Sequence, residues 1–345
     1  MSARLAAFAL TALVAFGFAS AQTPATQPSP PNELTPAEKA AGWQLLFDGK
    51  STAGWRGFRA KAMPEKGWKV EDGCLRVVAD ERGGDILSTG QYGDFDLLVE
   101  FRVAPHANSG IFFRVTEDGD GVPDSGPEFQ IIDDLGFNFP PTGGNSNGAL
   151  YALAAPPENK PQRPAGEWNQ ARIRWRHGVL QQWLNGVKIT EVRTDGDDWQ
   201  QRIAKSKFKD APAFAKSPKG HIALQDYGND VWFRNMKIRD LDTPLPGEVR
   251  LFNGRNLDGW KAFLPDGTAP EKVWSVPPAP GDSAAAGRTG VLICRGEPAG
   301  YIRTERDFTN YVLKLEWRFE KPGNSGVLLR VIGPDKVWPR CMEAQ

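Results

Sequence analysis

The stretch FDLLVEFRV, residues 95–103, decides the fold because it alternates apolar and polar side chains. The stretch YVLKLEWRF, residues 311–319, repeats the same alternation. A period of two residues predicts a strand with one buried face. Asn185-Gly186 separates two further apolar runs and predicts a tight hairpin. With 37 Gly and 28 Pro available for turns, these patterns predict an all-β protein folded as a β-sandwich. The predicted inward residues are Val99, Phe101 and Val103 in the first stretch and Leu313, Leu315, Trp317 and Phe319 in the second.

The two stretches belong to a longer internal repeat, whose other blocks recur in the same order. These blocks are FDGKSTAGW (47–55) with FNGRNLDGW (252–260), NSGIFFRV (108–115) with NSGVLLRV (324–331), and EFQ (128–130) with EAQ (343–345). Several blocks in one order indicate a duplicated domain rather than a short-period solenoid. We place the first copy at 43–242 and the second at 249–345. Because the second copy stops at its Glu-x-Gln block, we expect it to be incomplete.

The N-terminus has the pattern of an export signal. Arg4 is followed by an apolar run and then by the small residues Ala19-Ser20-Ala21, so residues 1–21 are predicted to be a signal peptide. The apolar run is too short to predict a membrane span. Residues 22–42 begin with a Pro- and Thr-rich stretch and are predicted to be a flexible tether. We therefore expect an exported protein, either periplasmic or extracellular.

Composition excludes several functional classes. Lys plus Arg and Asp plus Glu each total 42, and this balance argues against a nucleic-acid partner. The sequence contains no P-loop or G-x-G-x-x-G motif. The 12 Trp residues suit either a hydrophobic core or stacking against sugar rings. Composition leaves both of these roles open for the Trp residues, and the sequence does not decide the oligomeric state.

The strand PEFQIID, residues 127–133, carries the strongest candidate for chemistry. Alternation places Phe129 and Ile131 in the core and Glu128 with Gln130 on the opposite face. The second copy keeps the polar pair as Glu343 and Gln345. Either this face is a site, or it is an ordinary solvated sheet face.

Three other residues are expected near this strand. Arg114 alternates with Ile111 and Phe113 and should point to the same side as Glu128, where a guanidinium could orient a carboxylate or bind sugar oxygens. Asn108 begins the Asn-Ser-Gly block, which also suits a bend or bulge before a strand. Asp134 continues the parity of Glu128, so these two carboxylates are candidate ligands of a divalent cation. No cofactor is assigned beyond that option.

Taken together, five blocks resemble the bacterial 3-keto-disaccharide hydrolase domain family. They are LFDGKS…GW, NSGIFFR, EFQIID, GALYALAAP…GEWNQARI and IALQDYGNDVWFRNMKI. The resemblance covers the whole first copy and the front half of the second. The resemblance implies a concanavalin-A-like lectin/glucanase sandwich, a jelly roll that is usually exported. It also implies cleavage of glycosides whose sugar carries a 3-ketone, so the implied partner is a small-molecule carbohydrate.

The implied chemistry follows from the ketone, which acidifies the neighbouring C2–H. A base removes that proton, the C1 substituent leaves, and water adds to the resulting enone, so the net reaction is hydrolysis. On this resemblance Glu128 and Tyr227 are the catalytic candidates, with Glu128 as a general base or a metal-binding carboxylate. The candidate sugar-binding residues are Asn108, Arg114, Gln130, Tyr151 and Trp168. Family members commonly have Asp-His-Gly where this chain has Asp226-Tyr227-Gly228, and Tyr lacks an imidazole that titrates near neutral pH.

Two other functions fit the same fold. A non-catalytic carbohydrate-binding module would use the sandwich as a lectin does, and a surface adhesion repeat would need no site at all. Convergence of Glu128, Gln130, Arg114 and Tyr227 at one site distinguishes an enzyme from an adhesion repeat.

Overall fold

The structure is a computed structural model that describes residues 30–138, 140–245, 247–265, 267–277, 290–319 and 322–345. The predicted signal peptide and the first residues of the predicted tether lie outside these ranges, so both stay predictions. Among the described residues, no helix is both long and apolar enough to cross a lipid bilayer.

The described residues of the first copy, with the segment just before it, form thirteen strands and three short α-helices. In chain order they are α1 Pro36–Ala40, β1 Trp43–Leu45, β2 Trp55–Gly57, β3 Trp68–Glu71, β4 Cys74–Val77, β5 Ile86–Tyr92, β6 Phe95–Val103, β7 Asn108–Val115, β8 Glu128–Ile132, α2 Asp134–Phe137, β9 Asn169–Arg176, β10 Val179–Leu184, β11 Val187–Arg193, α3 Asp197–Ala204, β12 Gly220–Leu224 and β13 Val231–Asp240. Asn185 and Gly186 both have positive φ and close the β10–β11 hairpin, as their sequence predicts.

These strands form two antiparallel sheets. The larger sheet has the order β11-β10-β9-β6-β13-β4-β3, and β1 also pairs with β13. The smaller sheet has the order β2-β5-β12-β7-β8. The predicted all-β sandwich is confirmed.

The core lies between the two sheets. Alternate residues of β6, from Phe95 to Val103, are buried there. Aromatic pairs join the sheets: the ring centroids of Phe113 and Trp175 are 5.9 Å apart, and those of Phe101 and Phe129 are 6.4 Å apart. Burial of these apolar faces is the main stabilising contribution.

The last part of the predicted tether contacts the sandwich. Thr35 caps α1 in a reciprocal pair with Glu38. Lys237 of β13 donates to Glu38 at 2.9 Å, and Asn32 accepts from the amide of Asn235 at 2.7 Å. Residues 30–42 are therefore held against the larger sheet.

The second copy contains shorter pieces of the same plan. They are β14 Trp260–Phe263, β15 Trp274–Ser275, β16 Ile293–Cys294, β17 Tyr301–Thr304, β18 Val327–Ile332 and β19 Arg340–Ala344, paired as β14–β17, β15–β16 and β18–β19. The entry turn is reproduced, because the indole of Trp260 donates to the carbonyl of Leu251 at 2.7 Å, as Trp55 does to Leu46 at 2.6 Å.

The predicted strand over residues 311–319 is absent, and this prediction is wrong. In the first copy, β6 gains its ladder from β9 on one side and β13 on the other. No described strand pairs with 311–319, and its apolar side chains are exposed, with Trp317 at 67%. Alternation alone therefore does not make a strand where no partner is present.

Candidate functional site

The outer face of the smaller sheet carries a row of cross-strand neighbours that ends at Glu128. The row consists of Arg56, Leu87, Ala223, Phe112 and Glu128, one from each strand. Residues of the opposite parity, including Phe129 and Ile131, lie in the core. The predicted division of β8 into a core face and a polar face is thus confirmed.

Glu128 is nevertheless not solvated. Only 5% of the residue is exposed. A segment beside β8 extends the sheet edge: the amide of Tyr151 donates to the carbonyl of Glu128 at 3.0 Å, and that of Gly148 donates to Gln130 at 2.8 Å. The alternative of an ordinary solvated face is therefore wrong, because this added segment helps to cover the edge strand.

The carboxylate of Glu128 lies over Gly110 on the neighbouring strand. A Cβ at position 110 would overlap Oε1 of Glu128, so glycine leaves the space that this side chain fills. Among the residues that the structure describes, the Glu128 carboxyl has neither a hydrogen bond nor an ion pair. A buried polar group without a partner costs folding free energy, and such groups often mark functional sites.

Burial controls the protonation of Glu128. Loss of water raises the pKa of this carboxyl to about 8, the nearby Asp85 carboxylate adds to the rise, and the Lys207 ammonium opposes it. At pH 7 Glu128 is therefore mostly a neutral acid that can donate a proton.

Two amide side chains lie beside this acid. The side chain of Gln130 donates to Oδ1 of Asn108 at 3.3 Å, and the backbone N–H of Asn108 donates to Oδ1 of Asn229 at 3.1 Å. The predicted sugar-binding residues Asn108 and Gln130 are therefore in contact. Their amide groups provide the donors and acceptors that sugar hydroxyls need.

The side of the site formed by Tyr151 includes a lysine that the sequence did not reveal. The Lys207 ammonium lies 4.2 Å from the centre of the Tyr151 ring. It belongs to the segment after α3, which is anchored by the stacked rings of Phe208 and Phe214. Lys207 shows no periodicity or motif, so only tertiary structure brings it to Glu128.

Asp85 is a second carboxyl that the sequence did not reveal. Its Oδ1 accepts from the amide of Asp226 at 3.0 Å. Burial raises the pKa of Asp85 to about 6, and the neighbouring Asp226 carboxylate adds to the rise.

Tyr227 lies at the rim, and 55% of the residue is exposed. Its neighbour Asp226 fixes the local turn by accepting from the amides of Gly84 at 3.0 Å and Gly228 at 2.9 Å. Because Asp226 also contacts Asp85, Tyr227 lies next to the Asp85 side of the site.

The predicted position of Arg114 is wrong. A bulge places both Phe113 and Arg114 opposite Ile222, and Arg114 has a φ of 52°. The guanidinium consequently turns away from Glu128. It lies 3.8 Å from the ring centre of Trp175 and 3.4 Å from Asp94.

Trp168 is also outside the site. Its ring lies against the guanidinium groups of Arg234, at 4.0 Å, and Arg102, at 5.0 Å. These arginines belong to β13 and β6 on the outer face of the larger sheet, so the sandwich core separates Trp168 from Glu128. The Pro-rich loop before β9 carries Trp168 to that opposite surface.

Asp134 does not continue the parity of β8, because the strand ends at Ile132 and α2 begins at Asp134. Its carboxylate is occupied by Lys160 at 2.6 Å and by the amide of Asn147 at 2.8 Å. The pairing of Asp134 with Glu128 as cation ligands is therefore not supported. Within the described ranges, no three His, Cys, Asp or Glu side chains group in a way that could hold a metal ion.

An open groove of about 590 Å³ lies at the other end of the same sheet, lined by Arg56, Arg59, Ala60, Lys61 and Glu117. Its central charges are satisfied, since Arg56 and Glu117 form two hydrogen bonds of 2.7 and 2.8 Å. We therefore centre the candidate site on the unpartnered carboxyl of Glu128 rather than on this groove.

Comparison with known proteins agrees with this fold. Residues 42–239, and again residues 247–345, match the family described as the 3-keto-alpha-glucoside-1,2-lyase-like domain. The chain belongs to this family. The lyase-like domain is thus matched twice in one chain, as the internal repeat indicates.

Two known proteins are similar to the chain. A 3-keto-disaccharide hydrolase from Bacteroides thetaiotaomicron is 32% identical over 234 residues, which is 59% of this chain and 80% of that protein. The crystal structure of a candidate glycosyl hydrolase from Parabacteroides distasonis is 33% identical, with a TM-score of 0.56, over 62% of this chain and 100% of that one. The chain is therefore a carbohydrate-active protein with a concanavalin-A-like sandwich and with glycoside hydrolase relatives.

Proposed function

We propose that the protein cleaves 3-keto-glycosides by removal of the C2 proton, elimination of the C1 substituent and hydration of the enone. The observation that carries the proposal is the buried, unpartnered carboxyl of Glu128 beside Asn108 and Gln130. Family membership and the 3-keto-disaccharide hydrolase relative support the same substrate class.

Glu128 donates a proton to the departing glycosidic oxygen. The sequence favoured this residue as a base, but a base must be ionised, and burial keeps this carboxyl neutral at pH 7. Protonating the oxygen at C1 makes it a better leaving group. After elimination, the Glu128 carboxylate takes a proton from the water that adds at C1, which restores the acid.

The neighbouring polar groups hold the sugar in position for the reaction. The amides of Gln130 and Asn108 bind its hydroxyls, and the Tyr151 ring packs against an apolar face of the ring. Lys207 brings positive charge to the site where negative charge develops on the ketone oxygen in the enolate.

A substrate panel tests the proposal. Paired 3-keto and ordinary disaccharides are incubated with the full chain, with and without a chelator, and released sugar is measured. We expect cleavage of the 3-keto compounds alone. Release of sugar from ordinary disaccharides at an equal rate would contradict the proposed mechanism.

The duplication supplies a matched control. Glu128→Gln should lower turnover by at least about 100-fold, the usual scale for loss of a proton-transfer group. Glu343→Gln changes the corresponding Glu of the second copy, which is exposed, and should leave turnover unchanged. Full turnover by Glu128→Gln would remove Glu128 from the mechanism.

We also propose that the protein is exported. The support is the sequence pattern of residues 1–21. N-terminal sequencing of the protein recovered outside the cytoplasm should begin at Gln22, and a mature chain that keeps Met1 would contradict export by this signal.

A further inference from the structure

Asp85 shares the outer face of the smaller sheet with Glu128. A second row on this face, next to the row that ends at Glu128, contains Gln225, Gly110 and Gln130. Leu224 pairs with Ile86, so the residue before Ile86, which is Asp85, lies opposite Gln225 in this second row. Asp85 and Gln130 therefore mark the two ends of the row, with Gln225 and Gly110 between them and the Glu128 carboxylate over Gly110.

The Asp85 and Glu128 carboxyls lie close enough on this face to interact electrostatically. Asp85 Oδ1 is 3.0 Å from the amide nitrogen of Asp226, and the preceding residue, Gln225, donates to Gly110 at 3.0 Å. Glu128 leans over Gly110 from the opposite side. Asp85 precedes β5, and Gly110 lies on β7, two strand spacings away. Because adjacent strands lie about 4.8 Å apart and Asp85 leans towards Asp226, the two carboxyl groups are separated by roughly 5–10 Å.

From this arrangement we infer that Asp85 is the base that removes the C2 proton, while Glu128 protonates the leaving oxygen at C1. The inference rests on the proposed function and assigns a second catalytic residue to it. C1 and C2 are bonded neighbours, so groups on either side of one sugar ring can reach both positions.

The electrostatic environments agree with this division of roles. Burial raises the pKa of Asp85 to about 6 but that of Glu128 to about 8, so near pH 7 the first is mostly ionised and the second mostly protonated. Two neighbouring carboxyls whose pKa values differ in this way commonly serve as base and acid. One oxygen of Asp85 is held by the amide of Asp226, and the other has no hydrogen-bond partner among the described residues.

The proton balance closes over one turnover. The Asp85 carboxylate takes the C2 proton, the C2 electrons form the enolate and then the C1=C2 bond, and the C1–O bond breaks as Glu128 protonates the leaving oxygen. Water then bonds to C1 and loses a proton to the Glu128 carboxylate. Protonated Asp85 returns its proton to C2, so both groups regain their first state.

The second copy provides an internal comparison. The offset that matches Asn108 with Asn324 places Tyr301 at the position of Asp85. The second copy otherwise keeps the arrangement: Gln345 donates to Asn324, and Gly326 lies beneath Glu343. It therefore retains the corresponding Glu and the two amide side chains but lacks the carboxylate that we assign as the base.

Deuterium exchange isolates the proposed step. The probe is 1,5-anhydro-3-ketoglucitol, which has a 3-ketone but no leaving group at C1, so it reports C2 deprotonation alone. The full chain is incubated with it in D₂O, and loss of the C2 proton is followed by NMR. We expect rapid exchange with the natural chain and with Glu128→Gln, and a rate at least about 100-fold lower with Asp85→Asn.

Matched variants distinguish loss of the proposed base from loss of folding. Asp210→Asn removes a carboxylate that is exposed on the segment after α3, and it should exchange like the natural chain. Melting temperatures identify any folding defect in Asp85→Asn. Should that variant unfold, Asp85→Ala supplies the second measurement, because formate should restore its exchange if a carboxylate is what is missing.

The outcomes separate the two proposals. Natural-level exchange by Asp85→Asn, or loss of exchange in Glu128→Gln alone, would overturn the assignment of Asp85 while leaving the proposed function intact. Neither exchange nor cleavage of 3-keto-glycosides by the natural chain would overturn the proposed function and this inference together.

Discussion

The carboxylate of Glu128 lies directly over the Cα of Gly110 on the neighbouring strand, in space that a Cβ at position 110 would occupy. The same relationship recurs between Glu343 and Gly326 in the second copy. The glycine is needed for this close approach and not for an unusual backbone angle, since neither Gly110 nor Gly326 has a positive φ.

Replacing that glycine should displace the acid. Gly110→Ala is expected to lower turnover of a 3-keto-disaccharide by at least about tenfold, because a small misplacement of a catalytic group is costly. Steady-state kinetics measure the loss, and Gly326→Ala is the matched control in the second copy. Unchanged turnover in Gly110→Ala would show that the position of Glu128 over this glycine has no role in the reaction.

Stability should depend on pH through Glu128. Its pKa rises from 4.5 to about 8 on folding, so the folded state holds the proton more tightly than the unfolded state. The stabilisation is complete below pH 4.5 and is lost as pH rises to about 8. Glu128→Gln should therefore gain stability relative to the natural chain across this range, by about 2–5 kcal/mol. Denaturant unfolding at pH 5 and pH 9 measures the change, and a constant difference would contradict the burial of an unpaired carboxyl.

The pH–rate profile should be bell-shaped. Asp85 must be ionised, which gives an acid limb near pH 6, and Glu128 must be protonated, which gives an alkaline limb near pH 8. The dependence of kcat/KM on pH reports both limbs for the free enzyme. We expect Glu128→Gln to lose the alkaline limb and to keep the acid one. Activity that rises steadily above pH 8 would instead make Glu128 the base.

Tyr227 offers a separate test at the rim. Tyr227→His would place an imidazole beside the turn of Asp226, close to Asp85, and imidazole titrates near neutral pH. We expect higher activity or a pH optimum closer to neutrality. A profile that superimposes on that of the natural chain would show that this position takes no part in proton transfer.

Hydrogen exchange should distinguish the two copies. Amides of 95–103 are paired on both sides by β9 and β13, whereas no described strand pairs with 311–319. Amides in 311–319 should therefore exchange much faster than those in 95–103 on the intact chain, as mass spectrometry of matched peptides would show. Equal protection would mean that 311–319 forms a ladder in solution.

The sequence by itself determined the all-β class, the repeat and the polar face of β8. Each is a local property: alternation assigns the two faces of a strand, Asn185-Gly186 supports the positive φ angles of a hairpin, and repeated blocks reveal duplication. Even the pair of Glu128 and Gln130 follows from parity alone.

Tertiary structure decided which residues meet on that face. A bulge directs Arg114 to the core side of the smaller sheet, because one extra residue reverses the alternation of side chains between the two faces. A long loop places Trp168 on the outer surface of the other sheet. Asp85 and Lys207 reach Glu128 from distant parts of the chain, and the burial that raises the pKa of Glu128 exists only once these elements pack together. The spacing of residues along the sequence shows which face of a single strand each side chain occupies. A site also depends on strand pairing and burial, which form only in the folded protein.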